Sequence, residues 1–396
     1  CSFTGESSQW DGERFGPACY QPRGRPRLAA AHGILHFGTF QLKMRDPPMR
    51  APRPTSSSSP GELGQVIRVG GAAALLPLLV ERGIDPDALA AEAGLSAVVF
   101  ADPDNVVPFA ALCRLTRLAA ERAALPDIGL RACVNTGLAS LGTLGYLVAN
   151  SETVGRGLAA LEAYLYVHDQ GATPVIARDG DTAYLGYEVL APGIPGADQV
   201  TFGALAIATN ILRKLCGTGF RLQEVAIAYR APADTSLFRS FFDAPVRFDA
   251  ERSALAFDTR WLAMPIPTAD PYLRTILVER IQHETARLGE PATDRIRRVM
   301  RSLVAGGRFS VADAAAAFGV DRRTLARRLA SSRTSFRELL DEARHGEAQR
   351  LLQSTAVSVA EIAARLGYSD TATFTRAFRR WAGTSPRQWR AASRAI

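Results

Sequence analysis

Apolar residues at helical spacing dominate the last third of this chain, and one such pattern occurs twice. The segment SVADAAAAFGV (310–320) returns as SVAEIAARLGY (358–368). In the second copy Val359, Ile362 and Leu366 share one helical face, and each copy carries a glycine that can take the left-handed backbone ending a helix. A second short helical pattern, rich in arginine, follows each copy at once. The repeat therefore predicts two helix-turn-helix units in tandem.

Polar residues predict where these helices begin. Ser310 and Ser358 stand at N-cap positions, and each has an acidic residue three positions on. In that spacing the hydroxyl and the carboxylate can satisfy free backbone N–H groups reciprocally. Asp321 is the expected cap of the second helix in the first unit, and either Ser369 or Asp370 in the second unit. Each unit is therefore predicted to contain two capped helices.

The second helix of each unit is expected to bury apolar residues and to expose arginines. Leu325 and Leu329 point inward in the first unit, and Phe374 and Phe378 do so in the second. The outward-facing residues are Arg322, Arg323, Arg327 and Arg328 in the first unit and Thr371, Thr375, Arg376, Arg379 and Arg380 in the second. A helix, a tight turn and a basic second helix fit the DNA major groove, which predicts double-stranded DNA as a partner.

The segment between the two units, residues 335–354, reads as one helix. Its apolar stripe consists of Phe336, Leu339, Leu340, Ala343, Leu351 and Leu352. A helix of about 19 residues is roughly 28 Å long, which is close to the roughly 34 Å between major-groove faces one DNA turn apart. We therefore predict a linker helix that holds both basic helices on one side of the duplex, over a site resembling a direct repeat.

Charge divides the chain in the same place. Residues 291–396 hold 20 Arg against 9 Asp plus Glu, a net charge of +11, whereas the rest of the chain has 27 basic and 30 acidic residues, a net charge of −3. A basic domain gathers phosphates by counterion release, so its DNA binding should be strongly salt-dependent. Codon bias is the alternative explanation, because Lys43 and Lys214 are the only lysines. That bias explains Arg in place of Lys but not the asymmetry.

The stretch AEIAARLGYSDTATFTRAFRRWAGTSPRQWR (360–390) resembles the closing signature of the AraC/XylS family of bacterial transcription regulators. The matching positions are Ile362, Ala363, Leu366, Gly367, Tyr368, Phe374, Arg376, Phe378, Gly383, Pro386, Trp389 and Arg390. The resemblance covers residues 291–392 and departs at Arg333, where the family commonly has glycine before a Ser-Phe pair. It implies base-reading positions at Arg323, Ala326, Arg327, Thr371, Ala372, Thr375 and Arg376; Arg322 and Arg379 complete the predicted DNA-contact set.

The residues before this domain predict an α+β fold. Amphipathic helical patterns between 72 and 169 give way to a hairpin pattern at 173–190 that turns at 179–181, followed by one long helix and three short strands. The segments ADPDNVVPF and LGTLGYLVANSETVGRGL resemble the arabinose-binding-type regulatory domain of one AraC branch. The predicted domains are 1–62, a disordered extension or linker; 63–270, the α+β sensing and dimerisation domain; 271–290, an interdomain helix; and 291–396, the all-α DNA-binding domain.

A regulatory domain of this kind suggests a small-molecule effector that alters how DNA is bound. The predicted effector-binding residues are Tyr146, Tyr164, Tyr166, His168, Tyr184 and Tyr187. Each also has an ordinary structural interpretation, because a Tyr or His in such a stretch is commonly a hydrogen-bonded core or surface residue. Further expected partners are a second copy of the chain, in a homodimer, and RNA polymerase.

Other functional classes receive less support. The sequence has no G-x-S-x-G, HExxH or Walker A motif, so we predict no catalytic residues, no metal site and no cofactor. It has neither a signal-peptide pattern nor an apolar run long enough for a bilayer, and its cysteines are scattered, which favours a cytoplasmic, nucleoid-associated protein without a membrane partner. Because the first methionine is Met44, we expect 1–43 to be a misassigned start or a disordered tail. The alternatives are a non-sensing architectural DNA-binding protein and an enzyme fused to a DNA-binding domain.

Overall fold

The computed structural model describes residues 65–393, except 192, 288–291, 319 and 356. The predicted extension at 1–62 lies outside the described residues. The structure begins with a two-stranded antiparallel sheet, whose strands are separated in sequence by two helices. The first elements are β1 Val66–Arg68, α1 Leu75–Glu81, α2 Pro86–Glu92, β2 Val106–Pro108, α3 Phe109–Ala123, α4 Ile128–Cys133, α5 Thr143–Ala149 and α6 Val154–Tyr164.

The fold then changes from helices to a five-stranded sheet, which confirms the α+β prediction. Its elements are β3 Ala172–Asp179, β4 Thr182–Val189, α7 Ala197–Cys216, β5 Glu224–Ala226, α8 Ser236–Phe242, β6 Val246–Arg247 and β7 Ala254–Asp258. The strand order is β3-β4-β7-β5-β6, antiparallel except for the β5/β6 pair. The hairpin predicted at 173–190 is confirmed, because Asp179 pairs with Thr182 around Gly180, whose φ is +54°.

Two apolar cores lie in this α+β domain. One joins α5, α6 and α7 to the inner face of the large sheet, and the other lies among α1, α2 and α3. Phe202 of α7 meets Phe238 of α8 edge to face, with ring centroids 5.0 Å apart. Helix α6 begins after Thr153, whose hydroxyl accepts from the Arg156 N–H at 3.2 Å. Ser151, two residues earlier, donates its buried hydroxyl to the Leu147 carbonyl.

The remainder is all helical, as the sequence predicts. Its helices are α9 Pro271–Arg287, α10 Ala292–Ala305, α11 Val311–Ala317, α12 Arg322–Ser331, α13 Phe336–Ser354, α14 Val359–Arg365, α15 Thr371–Ala382 and α16 Pro386–Ser393. One apolar core joins α10 through α16, and α13 has the 19 residues expected of the linker helix. Within the described ranges, no helix is both long and apolar enough to cross a membrane.

The predicted helix caps are largely confirmed. Ser310 and Asp313 form the full reciprocal box at the start of α11. Asp321 caps α12, and Asp370 rather than Ser369 caps α15, each carboxylate accepting from a backbone N–H at 2.7 Å. These hydrogen bonds satisfy donors that the helix itself leaves free, so each turn leads directly into a basic helix.

The reciprocal cap predicted at Ser358 is only half right. The Ser358 hydroxyl accepts from the Glu361 N–H at 3.1 Å, but the Glu361 carboxylate pairs with Arg365 at 2.8 Å instead of closing the box. An ion pair within one helical turn competes for the same carboxylate. Gly367 ends α14 with a φ of +73°, as predicted, whereas the corresponding Gly319 lies outside the described residues.

Candidate functional site

Helix α12 presents one arginine-rich face to solvent. Leu325 and Leu329 are buried in the helical core, which fixes the rotation of the helix about its axis. The four predicted contact residues Arg322, Arg323, Ala326 and Arg327 are all exposed, and Arg323 and Arg327 lie on the face opposite the two leucines. Among the described residues, none of these three guanidinium groups forms an ion pair. These guanidinium groups are therefore free to donate hydrogen bonds to an external partner.

Helix α15 presents a comparable face in the second unit. Its buried side carries Phe374 and Phe378, both without solvent exposure. Its outer side carries the predicted contact residues Thr371, Ala372, Arg376 and Arg379, all exposed, and Thr375, which is half-buried. The Thr375 hydroxyl donates to the Thr371 carbonyl at 2.7 Å, and the Arg376 guanidinium donates to the Thr373 hydroxyl at 3.0 Å. These bonds hold two of the outer side chains close to the helix.

A concave surface of about 720 Å³ adjoins the exposed face of α15. Thr371, Thr375 and Arg379 line it from α15, and Arg387 lines it from the first turn of α16. Sequence reasoning missed Arg387, although its place directly after Pro386 at a helix start is a signal for exposure. By contrast Arg380, which the pattern also places outside, pairs with Asp341 of α13 at 2.9 Å and braces α15 against the linker helix.

The α+β domain contains a partly open cavity of about 120 Å³. Its walls come mainly from α7, α4, β4 and the segment before α1, and apolar side chains such as Leu75, Leu112, Leu161, Leu205 and Ile211 dominate them. The polar side chains that line it are Arg68, Thr116, His168, Asp169, Tyr187 and Gln199.

Two of the six predicted effector residues, His168 and Tyr187, line this cavity. The other four do not. Tyr146 is 61% exposed on α5, and Tyr184 faces the opposite side of β4 from Tyr187. Tyr164 and Tyr166 are buried elsewhere, and the Tyr166 hydroxyl donates to the Thr285 hydroxyl of α9 at 2.7 Å. Arg68 and Gln199 were missed, because nothing in their local sequence separates them from ordinary surface residues.

Burial perturbs the ionisable groups at this cavity. The pKa of His168 is lowered to about 3 by desolvation and, to a smaller extent, by the positive charge of Arg68. The pKa of Asp169 is raised to about 6 by desolvation, against the stabilising hydrogen bonds from the Tyr187 hydroxyl at 2.6 Å and the Gly171 N–H at 2.8 Å. His168 is therefore a neutral imidazole at neutral pH.

Family models match both halves of the chain. The arabinose-binding domain of AraC transcription regulators matches residues 83–266, and a helix-turn-helix domain matches residues 314–392. The chain belongs to the AraC/XylS family of transcription regulators. The α+β domain is thus its arabinose-binding-type regulatory domain, and the matched helix-turn-helix domain runs from within α11 to α16.

The chain is similar to known transcription regulators over most of their length. The HTH-type transcriptional regulator VirS of Mycobacterium tuberculosis is 29% identical, over 83% of this chain and 98% of its own. The ornithine utilization regulator of Pseudomonas aeruginosa is 27% identical, over 83% of this chain and 97% of its own. The crystal structure of the regulator CdpR from Pseudomonas aeruginosa aligns over 81% of this chain and 98% of its own, with 23% identity and a TM-score of 0.40.

The AraC-type DNA-binding domain contacts the regulatory domain through a buried polar cluster. Glu162 of α6, whose side chain is fully buried, pairs with Arg308, the residue two places before the Ser310 cap. The Ser302 hydroxyl of α10 lies 2.6 Å from Glu162 Oε1 and 2.5 Å from the Pro174 carbonyl oxygen of β3. Desolvation raises the pKa of Glu162, and Arg308 partly opposes that effect. Removing either partner therefore changes how the two domains meet.

Further ion pairs extend this domain contact to the linker helix and to the second helix-turn-helix unit. Arg350 of α13 pairs with Glu188 of β4 at 3.2 Å. Arg365 of α14, in the second unit, pairs with Glu251 at 2.6 Å. Arg252 donates to the Ala305 carbonyl at the end of α10 and pairs with Glu347 of α13. These contacts involve supporting helices and leave the exposed faces of α12 and α15 accessible.

Proposed function

We propose that this regulator reads a specific operator through α12 and α15 and that a small molecule in the regulatory-domain cavity modulates this binding. The first half rests on the two capped helices, each of which exposes arginines over a buried apolar face. Guanidinium groups of this kind can bond in a bidentate manner to guanine, while Ala326 and Ala372 can offer only apolar contact, for instance to a thymine methyl. The net charge of +11 in residues 291–396 supplies the attraction to phosphates.

Replacing Arg327 or Arg376 by alanine tests the reading role. If the side chain makes a bidentate base contact, each substitution should cost about 1–3 kcal/mol of binding free energy and relax the preference at one base position. The measurement is the affinity of the full chain for an operator series in which each base pair is substituted in turn.

Arg328→Ala is the matched control, since it removes the same charge from an exposed neighbouring position of α12. This change should weaken all duplexes alike or leave them unchanged. If Arg327→Ala and Arg376→Ala both leave affinity unaltered across the whole series, neither residue has the proposed role. The same series addresses the alternative of a non-sensing architectural protein, which would bind every duplex with equal affinity.

The second half of the proposal rests on secondary-structure elements that the cavity and the domain contact share. Leu161 of α6 lines the cavity, while its neighbour Glu162 bonds to the DNA-binding domain. Pro174 of β3 lines the cavity, and its own carbonyl accepts from Ser302. A ligand that fits one arrangement of α6 and β3 better than another would therefore favour one placement of α10. Such a difference in affinity between two states is what modulation requires.

Two further partners, a second copy of the chain and RNA polymerase, remain predictions. Helix α9 offers some support for self-association of the regulatory domain, because it exposes Tyr272, Leu273 and Ile276 on its surface. Exposed apolar groups that lie close together are typical of protein–protein contact sites.

A further inference from the structure

We infer that the cavity of the regulatory domain binds a small, mainly apolar carboxylic acid rather than a sugar, with Arg68 and His168 holding the carboxylate. The inference rests on the proposed effector role of this cavity and adds the chemical class of the ligand. It stands on the size of the cavity, on the composition of its wall and on two buried nitrogen atoms without partners.

Size limits the ligand to about one ring or a short branched chain. The cavity measures about 120 Å³. An engineered apolar protein cavity of roughly 150 Å³ takes up benzene. The hydrocarbon body of the ligand is therefore limited to about five or six carbon atoms, and its carboxylate has to lie at the polar edge of the cavity, beside Arg68 and His168.

The wall favours an apolar body over a polyol. Most of the lining is hydrocarbon, from Leu75, Leu112, Leu205, Ile207 and Ile211 among others. A sugar buries several hydroxyl groups at once, and each buried hydroxyl without a partner costs free energy. A ring or a branched chain meets the same surface without that cost.

Most polar groups of the lining already have partners within the fold. Gln199 accepts from the Gly129 N–H and donates to the Pro126 carbonyl and to Asp198. The Thr116 hydroxyl donates to the Cys113 carbonyl, and Asp169 accepts from the Tyr187 hydroxyl and the Gly171 N–H. These groups have little capacity left for the hydroxyls of a sugar.

Two nitrogen atoms differ from the rest. Within the described residues, Arg68 Nε and His168 Nδ1 are buried and have no hydrogen-bond partner. Both side chains line the cavity, and the Arg68 N–H donates to the His168 carbonyl at 2.7 Å, so the two residues stand on adjacent chain segments. An unsatisfied buried donor is costly, and a ligand oxygen would satisfy it.

The charge of Arg68 selects an anion. Its guanidinium pairs with Asp104, a carboxylate that is 70% exposed and therefore well solvated, whereas the Arg68 side chain itself is only 11% exposed. Room for the guanidinium comes from Gly142, with a φ of +56°, where a Cβ would lie 2.9 Å from Arg68 Nη2. Both nitrogen atoms are covered in this structure, so a ligand reaches them after a rotation of the two side chains; a carboxylate can then accept from Arg68 Nε and from a neutral His168 whose Nδ1 bears the proton. Asp169 also lines the cavity, and its carboxylate repels a bound anion. The hydrogen bonds that it accepts from the Tyr187 hydroxyl and the Gly171 N–H reduce this repulsion.

The test compares matched probes on the full chain. Cyclohexanecarboxylate, cyclohexanecarboxamide and L-arabinose are titrated by calorimetry, with 4-methylpentanoate as a second, acyclic acid. At least one of the two acids should bind about tenfold or more tightly than the amide, because a charge-assisted hydrogen bond is stronger than a neutral one. Arabinose should show no saturable binding. If neither acid binds, or if arabinose or the amide binds at least as tightly, the inference is overturned.

Two variants locate the binding. Arg68→Met should reduce acid affinity about tenfold or more and amide affinity by a smaller factor, because both probes lose a hydrogen bond but only the acid also loses the attraction between opposite charges. Ala204→Leu, which extends a lining side chain into the space, should abolish binding of every probe. Thermal unfolding of each variant without a probe, followed by circular dichroism and compared with the parent, shows whether the regulatory domain remains folded. Acid binding that persists in both variants lies outside the cavity and overturns the inference.

Operator affinity with and without the bound acid separates this inference from the proposed function. An acid that binds in the cavity but does not alter operator affinity leaves the ligand class standing and removes the effector role. Modulation by a ligand of another class that competes for the cavity leaves the effector role standing and removes the carboxylic acid.

Discussion

Phe374→Ala should destabilise the DNA-binding domain by about 3–5 kcal/mol, the usual cost of truncating a fully buried Phe. Phe374 has no solvent exposure, and its ring lies 5.6 Å from Tyr368 and 5.9 Å from Phe378, measured between centroids. The cavity left by the ring lies directly beneath the exposed face of α15. Operator binding should therefore weaken even though no residue of that face is changed.

Denaturant unfolding, followed by the fluorescence of Trp381 and Trp389 in the same core, measures this loss. Arg380→Ala is the matched control on the same helix, because it removes a partly exposed ion pair with Asp341, worth about 0.2–1 kcal/mol, and a cation–π contact with Trp381, worth about 0.5–1 kcal/mol, which together cost less than the loss expected at Phe374. A Phe374→Ala protein that unfolds within about 1 kcal/mol of the parent would show that this ring does not hold α15 in place.

The helix-turn-helix units could be predicted from the sequence because their determinants are local. A cap such as Ser310 with Asp313, and a chain reversal such as Gly367, each depend on residues within four positions. Spacing of apolar residues then fixes which face of α12 and α15 is buried. The exception at Ser358 is also local: Arg365, one turn beyond Glu361, takes the carboxylate that the box required.

Much less of the cavity and of the domain contact could be predicted. Several aromatic residues lie between 146 and 187, but the sequence pattern does not show which of them line the same cavity. The side chains of α5, α6 and β4 point in different directions in the fold. Arg68 reaches the cavity only through the pairing of β1 with β2, which joins segments about 40 residues apart. Glu162 did carry a signal, since a carboxylate stands within the apolar run of α6. Its partners, Ser302 and Arg308, are 140 and 146 residues away.

Arg308→Met should produce the second large effect, a loss of about 3–5 kcal/mol at neutral pH, because it leaves Glu162 as a buried charge without its counterion. The Glu162 side chain is fully buried, and its Oε2 has no hydrogen-bond partner within the described residues, so the Ser302 hydroxyl and a weaker interaction with the Ile176 backbone would remain to stabilise it. Opening the contact between the domains would hydrate Glu162. We therefore expect the variant to show faster hydrogen exchange in α10 and β3 than the parent.

The pH dependence of this loss has a definite sign. Burial already raises the pKa of Glu162 above its ordinary value. The positive charge of Arg308 is the strongest of the effects that lower this pKa, so removing Arg308 raises it further. A raised carboxyl pKa stabilises the folded state fully below the unfolded pKa of about 4.3, and this stability is lost as pH rises through the folded value. The destabilisation in Arg308→Met should therefore shrink as the pH falls and Glu162 becomes protonated.

Protonation of Glu162 would also allow the Ser302 hydroxyl to satisfy both of its hydrogen-bond contacts. The Ser302 hydroxyl has one hydrogen but lies within hydrogen-bond distance of two acceptors, Glu162 Oε1 and the Pro174 carbonyl. If the carboxyl carries a proton, Glu162 can donate to Ser302 while Ser302 donates to Pro174. The loss of Arg308 is then compensated within the cluster, but only at low pH.

The double variant Glu162→Gln with Arg308→Met separates the effect of charge from that of packing. Removing both charges leaves no uncompensated ion, so most of the lost stability should return at neutral pH. Arg301→Met, on the exposed side of α10, is the control for removing a positive charge and should leave exchange in β3 unchanged. If Arg308→Met and the double variant are equally unstable at every pH, the contact depends on the shape of Arg308 and not on its charge. In that case the buried ion pair does not couple α6 to the DNA-binding domain.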